Sequence, residues 1–293
     1  MSGICDGRVV IITGAGGGLG KAYALAFGAE GAAVVVNDIN REAAQDTVDA
    51  IIAGGGRAVT NFADITDYDD SLNAVRCALD NFGDLHVVVN NAGVCRDRMF
   101  ASMTAEEWDT VIAVHLKGHF CISSHAVHYW RGRNKEGHSV DARIINTSSG
   151  AGLNGSVGQS NYAAAKGGIA SLTLNQAAEL GRYGITANAL APSARTGMTE
   201  EVFADMMKAP EDGGFDAYDP ANVAPLVVWL GSSQSSAVSG HIFELEGGRI
   251  SIADGWRSTP GINKARRWDV NEVGDGVAQL IADGVPAQKV YGT

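Results

Sequence analysis

The sequence predicts an α/β fold: a doubly wound parallel sheet flanked by helices on both faces, in a single domain. Short apolar runs alternate with helical segments along the chain, which is typical of parallel strands buried on both sides. No change of composition divides residues 8–248. The length of 293 residues is enough for one large domain.

The apolar runs predict the strands, and the segments between them predict the helices. The predicted strands are 8–13, 32–38, 57–64, 85–93, 142–149, 184–192 and 241–248. The predicted helices are 20–31, 41–56, 66–83, 104–130, 161–181 and 221–232. Glycines 54–56 suit the end of the second helix, and Thr104 and Glu107 have capping-box spacing at the start of the fourth. Residues 249–293 are predicted to extend the same domain, with one more helix at 270–284.

Charge and cysteine usage exclude several classes of protein. There are 22 basic and 33 acidic residues, a net charge of −11, which argues against nucleic acid or an anionic membrane as the main partner. The cysteines are far apart and form no CxxC pair, so reduced thiols are expected. No apolar run approaches the ~18 residues of a membrane span, and no signal peptide precedes the first strand. We expect a cytoplasmic protein.

A glycine-rich loop, TGAGGGLGKA, follows the first predicted strand at residues 13–22. Such a loop between a strand and a helix can cradle a phosphate. The Walker A pattern requires glycine where Ala15 stands and a serine or threonine where Ala22 stands. A nucleoside triphosphate loop is therefore excluded.

The loop also departs from the common dinucleotide pattern GxGxxG, because Leu19 occupies its last position. The pattern TGxxxGxG fits instead, through Thr13, Gly14, Gly18 and Gly20. Glycines let the backbone approach a pyrophosphate, and the start of the helix meets its charge. A purely structural glycine turn remains the alternative.

Asp38 ends the second predicted strand, 18 residues after Gly20. A carboxylate at about this distance binds the ribose hydroxyls of NAD. It would repel the 2′-phosphate of NADP, so NAD is the expected cofactor, although the nearby Arg41 could weaken that preference. The alternative for Asp38 is a cap on the next helix.

Further motifs follow in order: NNAG at 90–93, Ser149 after the fifth strand, and Tyr162 with Lys166 in YAAAK. Together with TGxxxGxG, they resemble the short-chain dehydrogenase/reductase family over residues 8–248. The resemblance implies a Rossmann-like fold and oxidation of a secondary alcohol, or reduction of a ketone, by hydride transfer.

The chemistry of alcohol oxidation explains the second group of motifs. Free tyrosine has a pKa of about 10, too high for an efficient base at neutral pH. Lys166 lies four residues after Tyr162 on the same helix face, and its charge, with that of an oxidised nicotinamide, would favour tyrosinate. Ser149 would hold the substrate oxygen near Tyr162.

The resemblance also implies a set of cofactor-binding positions. Lys166 would bind the nicotinamide ribose, and Asp64 and Asn91 would lie near the adenosine. The expected cofactor-binding residues are Gly14, Gly18, Leu19, Gly20, Asp38, Asp64, Ile65, Asn91, Ala92, Gly93, Tyr162, Lys166, Pro192 and Thr196.

One position departs from the family pattern. The long helix usually carries asparagine within V-N-x-x-G, and here the stretch is VHLKG, with His115 at that place. The asparagine is thought to hold a water that links the lysine to solvent. Histidine can also donate to a backbone carbonyl or bind water, so His115 is a candidate for this role.

Several stretches resemble one branch of the family. They include VHLKGHF, IINTSSGAGLNGSVGQSNYAAAKGGIASL and ALAPSARTGMT. The branch contains the (3R)-hydroxyacyl-CoA dehydrogenase part of peroxisomal multifunctional enzyme type 2 and is often named 17β-hydroxysteroid dehydrogenase-like. It implies a 3-hydroxyacyl-CoA substrate with a fatty or steroid chain. A dehydrogenase of a free hydroxysteroid or another non-thioester alcohol, or a non-catalytic dinucleotide-binding scaffold, remains open.

A substrate lid is expected at about 194–220. Met198, Val202, Phe203 and Met206 form an apolar stripe on a short predicted helix, which would suit an apolar substrate; a plain packed helix and loop is the alternative.

No metal site is expected. His119, His125 and His128 lie on the long helix, but few carboxylates lie nearby, and surface or interface histidines are the simpler interpretation. Family members usually form dimers or tetramers through helices 104–130 and 161–181, so a homodimer or homotetramer is expected.

Overall fold

The structure is a computed structural model that describes residues 3–195, 208–210, 214–253, 255, 258, 260–285 and 288–291. Its centre is a sheet of eight strands in the order β3-β2-β1-β4-β5-β6-β7-β8. The strands are β1 Val9–Thr13, β2 Ala33–Asn37, β3 Arg57–Asn61, β4 Val87–Asn90, β5 Ala142–Thr147, β6 Ile185–Ser193, β7 Ile242–Glu246 and β8 Arg249–Ile252. All neighbours are parallel except β7 and β8, which are antiparallel.

Helices cover both faces of this sheet. They are α1 Gly18–Ala29, α2 Arg41–Ala53, α3 Tyr68–Phe82, α4 Ala105–Ile112, α5 Gly118–Lys135, α6 Gly150–Asn154, α7 Ser160–Leu180, α8 Ala224–Gly231 and α9 Val270–Asp283. Short 3₁₀ turns lie at Phe100–Ser102, Gly181–Tyr183, Pro220–Asn222 and Ser233–Ser235.

Alternate side chains of the central strands build two separate cores. Val10 and Ile12 pack with Phe27 of α1 and Val227 of α8 on one face. Val9 and Ile11 pack on the other face, in the cluster that contains residues of α3 and α5. This period of two, with both faces apolar, explains why the strands are continuous apolar runs. The predicted doubly wound parallel sheet is confirmed.

The strand order reverses between β1 and β4, which are neighbours although β2 and β3 lie between them in the chain. Ligands of open α/β sheets bind at the carboxyl ends of strands beside such a reversal. Thr13 ends β1 and Asn90 ends β4. The glycine loop and the NNAG motif therefore start at the same place in the fold.

The structure differs from the sequence prediction in the long helix and at the edge of the sheet, and it adds the short helix α6. The predicted helix 104–130 contains a π-helical turn, Ala113–Lys117, between α4 and α5 and continues to Lys135. The prediction that the sheet ends with strand 241–248 was wrong, because β8 follows and pairs with β7. Gly247, with φ +52°, forms the tight turn between them, and such a two-residue glycine turn favours a hairpin.

Candidate active site

The glycine loop is built for close approach of backbone segments and of a ligand. Gly14 has φ +63°, and a Cβ on it would lie 2.8 Å from Cα of Ala92. A Cβ on Gly20 would lie 2.2 Å from the carbonyl oxygen of Gly14. A Cβ on Gly17 would meet nothing within 4 Å, so the loop is open on that side. Side chains at positions 14 and 20 are therefore sterically excluded.

The first helix begins at this loop without a side-chain cap. α1 starts at Gly18, and its N-cap residue, Gly17, provides no side-chain hydrogen bond. Backbone N–H groups in the first turn of a helix have no partner within the helix and carry partial positive charge. The uncapped turn, with Leu19 in it, fits a pyrophosphate.

Asp38 lies directly beside the loop. Its carboxylate accepts hydrogen bonds from the backbone N–H groups of Gly16 and Asn40, each at 2.9 Å. The cap of α2 is Asn40, whose side chain accepts from the N–H of Ala43. The alternative in which Asp38 caps that helix is therefore wrong, because Asn40 already does so.

A cation lies near the same strand end. The guanidinium of Arg41 lies 4.3 Å from the centre of the Phe62 ring, within the range of a cation–π contact. Arg41 is therefore held close to the end of β2, where a positive charge could oppose the effect of Asp38.

The NNAG segment is tied to the end of β1. The side-chain amide of Asn91 donates to the carbonyl oxygens of Thr13 and Gly14, at 3.0 and 3.3 Å. The hydroxyl of Thr13 accepts from the N–H groups of Asn91 and Ala92. The two motifs thus form one unit at the reversal of strand order.

Asp64 and Ile65 lie after β3. The carboxylate of Asp64 is exposed and accepts from the N–H and hydroxyl of Thr66, both at 2.8 Å. Ile65 is buried, and a Cβ on Gly118 would lie 2.7 Å from its Cδ1. Asp64 is therefore accessible, while Ile65 packs against the start of α5.

Ser149, Tyr162 and Lys166 are brought together by two packed helices. Ser149 is the N-cap of α6, and its side chain accepts from the N–H of Ala151. Tyr162 lies in the first turn of α7, and Lys166 one turn later. A Cβ on Gly152 would lie 2.5 Å from the backbone of Lys166, so the glycine allows the short helix α6 to contact α7.

A hydrogen bond fixes Lys166, and the side chain of Ser149 acts on Tyr162. The hydroxyl of Ser149 lowers the pKa of the Tyr162 phenol, as a neighbouring donor does. The Nζ of the buried Lys166 donates to the carbonyl oxygen of Thr147 at 2.6 Å and lies 5.5 Å from the centre of the Tyr162 ring. The arrangement places a hydroxyl donor, a phenol and an ammonium group around one position.

The protein groups alone do not activate Tyr162. Burial is the main cause that brings the pKa of Tyr162 to about 12; Ser149 acts in the lowering direction, and Cys95 and Asp97 add smaller increases. Burial lowers the pKa of Lys166 to about 7, against a smaller opposite effect of Cys95. Activation at neutral pH therefore requires further positive charge, such as the expected oxidised nicotinamide would carry.

His115 is buried inside the π-helical turn, next to Tyr162. The two rings are perpendicular, with centres 5.1 Å apart. Its Nε2 lies 2.8 Å from the carbonyl oxygen and 3.0 Å from the nitrogen of Val94. Its Nδ1 is buried and has no hydrogen-bond partner among the described residues. Burial, with a smaller contribution from the charge of Lys166, lowers the pKa of His115 to about 3, so the imidazole is neutral.

His119 was interpreted as a surface or interface histidine, and that interpretation is wrong. It is buried, and its Nε2 accepts from the N–H of Thr147 at 3.3 Å. Burial and the charge of Lys166 lower its pKa well below the usual value. His119 thus holds the residue whose carbonyl accepts from Lys166. Its position one turn after His115 was the signal in the sequence.

The sequence analysis also did not identify Asp97 and Gln159 as residues of the site. The side chain of Gln159 donates to Oδ2 of Asp97 at 2.8 Å, and the N–H of Arg98 donates to the carbonyl of Gly158 at 2.7 Å. These bonds join the segment after NNAG to the residues just before Tyr162. No spacing rule indicates this pair from sequence alone.

The segment after β6 is described in part. Pro192 lies in β6 and pairs with Leu245 of β7. Thr196 and the lid residues Met198, Val202, Phe203 and Met206 lie outside the described residues. Arg195 and Asp216 form an ion pair, so two positions near the ends of the expected lid are joined.

The described part of the chain contains no group of three or more His, Cys, Asp or Glu side chains that could hold a metal ion. Among its helices, none has both the length and the apolarity needed to cross a membrane.

Comparisons with known proteins agree with this geometry. A family model described as short chain dehydrogenase matches residues 8–207. The chain is 42% identical to hydroxyacyl-CoA dehydrogenase ChsB1 of Mycobacterium tuberculosis, over 98% of this chain and 93% of the relative. It is 43% identical to peroxisomal multifunctional enzyme type 2 of Mus musculus, over 84% of this chain but 32% of that protein.

A solved structure is similar over almost the whole chain. The crystal structure of a short chain dehydrogenase from Mycobacterium avium has a TM-score of 0.91 and 54% identity, covering 99% of this chain and all of that one. The family resemblance that the motifs indicated is confirmed.

Proposed function

The chain belongs to the short-chain dehydrogenase family, and from this premise we propose that it oxidises a secondary alcohol to a ketone with NAD. The observation that carries the proposal is the placement of Ser149 and Tyr162 beside the buried Lys166, whose Nζ lies 5.5 Å from the centre of the Tyr162 ring. A protein that only bound a dinucleotide would have no need to bury a lysine next to a tyrosine, because burial disfavours its charge.

Each side chain has a defined task in this reaction. Ser149 donates a hydrogen bond to the substrate oxygen and holds it near Tyr162. Tyr162, as tyrosinate, takes the hydroxyl proton. Lys166 stays in place through its bond to Thr147 and contributes positive charge when protonated. The oxidised dinucleotide supplies the hydride acceptor when it is bound.

The dinucleotide would be held by the glycine loop and the strand ends beside it. Gly14, Gly18 and Gly20 leave room for the pyrophosphate, and the uncapped first turn of α1 meets its charge. Asp38 would accept from the adenosine ribose hydroxyls, which favours NAD over NADP. Asn91 keeps the loop in place.

The substrate we propose is a 3-hydroxyacyl-CoA with a fatty or steroid chain. The relative from Mycobacterium tuberculosis, which matches nearly the full length of the chain, is named for this activity. The mouse relative is a longer protein, of which this chain spans about a third. A hydroxysteroid or another alcohol without the thioester is the alternative that the assay below tests.

We propose a homo-oligomer formed through α4, α5 and α7. Phe120 on α5 and Leu174 on α7 are 51% and 49% exposed, and a second copy would cover them. Light scattering should give at least twice the mass of 30.4 kDa. The proposed location is the cytoplasm.

One assay tests the reaction. NADH formation is followed with (R)- and (S)-3-hydroxyacyl-CoA esters, and with hydroxysteroids and simple secondary alcohols. We expect turnover of one enantiomer of the ester, and a loss of about 10²–10⁴-fold in the Tyr162→Phe variant with NAD binding retained. Activity on non-thioester alcohols alone would reject the CoA substrate. Absence of turnover with every alcohol would favour a non-catalytic scaffold.

A further inference from the structure

The last described residues of the chain, 288–291, lie against the loop that joins the two catalytic helices. The N–H of Tyr291 donates to the carbonyl of Gly155 at 3.2 Å, and the N–H of Val157 donates to the carbonyl of Tyr291 at 2.9 Å. Ser156 and Tyr291 thereby form a parallel β-bridge. The loop follows α6, which Ser149 caps, and leads to Tyr162.

The ring of Tyr291 packs next to the catalytic serine. A Cβ on Gly150 would lie 2.6 Å from the hydroxyl oxygen of Tyr291 and 2.9 Å from its Cε2. Gly150 directly follows Ser149 in the chain. A Cβ on Gly155 would lie 3.4 Å from Cγ1 of Val290. The absence of a side chain at position 150 therefore makes room for Tyr291.

These contacts leave a large part of each side chain in this region exposed to solvent. Tyr291 is 51% exposed, Val290 39% and Val157 45%. We call these three residues the tail patch. If the tail only closed the end of the domain, burial of its aromatic ring would stabilise it most. Instead, a half-exposed apolar surface lies beside Ser149.

We propose that the tail patch binds the apolar chain of the substrate and that Tyr291 is a specificity-determining residue. The inference rests on the proposed function, in which Ser149 and Tyr162 hold a secondary alcohol that carries such a chain. With the hydroxyl fixed there, the rest of the substrate must cross the neighbouring surface. Each methylene that leaves water against this patch would strengthen binding by about four-fold.

Chain-length dependence tests the proposal. In the Tyr291→Ala variant we expect kcat/KM for a sixteen-carbon 3-hydroxyacyl-CoA to fall about ten-fold through KM, and that for a four-carbon ester by less than about two-fold. Tyr291→Phe keeps the ring and should retain the long-chain preference. Val285→Ala, at a residue 91% exposed and outside the patch, is the matched control. Equal losses for both esters, or none, would overturn the proposal.

A binding measurement does not depend on turnover. The fluorescence of the Tyr291→Trp variant is titrated with dodecanoyl-CoA, dodecanol and propanol, and the change in the wild type is subtracted. A saturable change with either twelve-carbon probe, absent with propanol, supports the proposal, and no change with either overturns it. If the wild type oxidises no hydroxyacyl-CoA, the proposed function fails while this titration still decides on the tail patch.

Discussion

The imidazole of His115 occupies the space that a side chain at position 93 would need. A Cβ built on Gly93 would lie 2.3 Å from Cε1 of His115. The last glycine of NNAG and the histidine of VHLKG are therefore one packing unit, although 22 positions separate them. The ring of His115 also meets the ring of Tyr162 edge-on. This unit therefore supports the side chain of Tyr162, the proposed catalytic base.

Adding a methyl group at position 93 should destabilise the protein. Gly93→Ala forces His115 or the NNAG backbone to move, and such overpacking costs about 1–3 kcal/mol in the free energy of unfolding. Urea denaturation measures the loss. Gly132→Ala is a control, because a Cβ there would meet nothing within 4 Å.

A double-mutant cycle tests whether the loss of stability in Gly93→Ala comes from the contact with His115. His115→Ala creates room, so Gly93→Ala should cost much less when it is made in the His115→Ala protein than in the wild type. We expect a coupling free energy of about 1 kcal/mol or more. Strictly additive effects would show that the strain at position 93 comes from another contact.

Acid should destabilise the wild type more than the His115→Asn variant. Burial lowers the pKa of His115 to about 3, below the unfolded value of about 6.5. As the pH falls from 6.5 towards 3, the unfolded chain binds a proton that the native state does not, and stability is lost. Between pH 6.5 and 4.5 the variant should therefore lose less in Tm, by a few degrees.

His119 is also buried with a lowered pKa, so part of the acid sensitivity should remain in the His115→Asn variant. Identical losses of Tm in the wild type and the His115→Asn variant would contradict the assignment.

The preference for NAD should depend on Asp38. Asp38→Asn removes the charge that opposes a 2′-phosphate, so the ratio of kcat/KM for NAD to that for NADP should fall by about ten-fold or more. Steady-state kinetics with both cofactors measures the ratio. Arg41→Ala should move it in the opposite direction, because it removes the cation that begins α2, three residues after Asp38. An unchanged ratio in Asp38→Asn would contradict the role of Asp38.

The sequence predicted the sheet because its signal is local. Buried parallel strands such as Val9–Thr13 and Ala33–Asn37 are continuous apolar runs. Such a run can be recognised as a strand from its own residues alone. β8 was missed because it is a partly exposed edge strand of four residues. Its turn chemistry, Gly247-Gly248, was the available signal.

The residues of the site could be predicted only where they belong to a motif whose residue types indicate a chemical role. Ser149 caps α6, and Tyr162 and Lys166 lie one turn apart on α7; their catalytic roles stay a prediction. The burial of His119 and the contact of Tyr291 with Gly150 are long-range packing, which periodicity does not encode. The charge argument for Tyr162 is incomplete, because burial raises the pKa of its phenol to about 12, and Cys95 and Asp97 raise it as well.

Replacing Lys166 should abolish turnover but increase the stability of the protein. Burial lowers the pKa of Lys166 to about 7, below the unfolded value of about 10.4. As the pH falls from 10 to 7, the unfolded chain keeps a proton that the native state lacks, so the wild type is progressively destabilised. Lys166→Met, which has no charge to bury, should lose turnover yet gain stability relative to the wild type, most at pH 7 and below.

We expect the difference in Tm between Lys166→Met and the wild type to grow by a few degrees from pH 9.5 to pH 7. The variant also loses the hydrogen bond to the carbonyl of Thr147, which lowers its free energy of unfolding by about 1 kcal/mol at every pH. The diagnostic quantity is therefore the change of the Tm difference with pH, and not the sign of that difference at one pH. A pH-independent difference would mean that the ammonium group of Lys166 is charged in the native state throughout this range, and would contradict the lowered pKa.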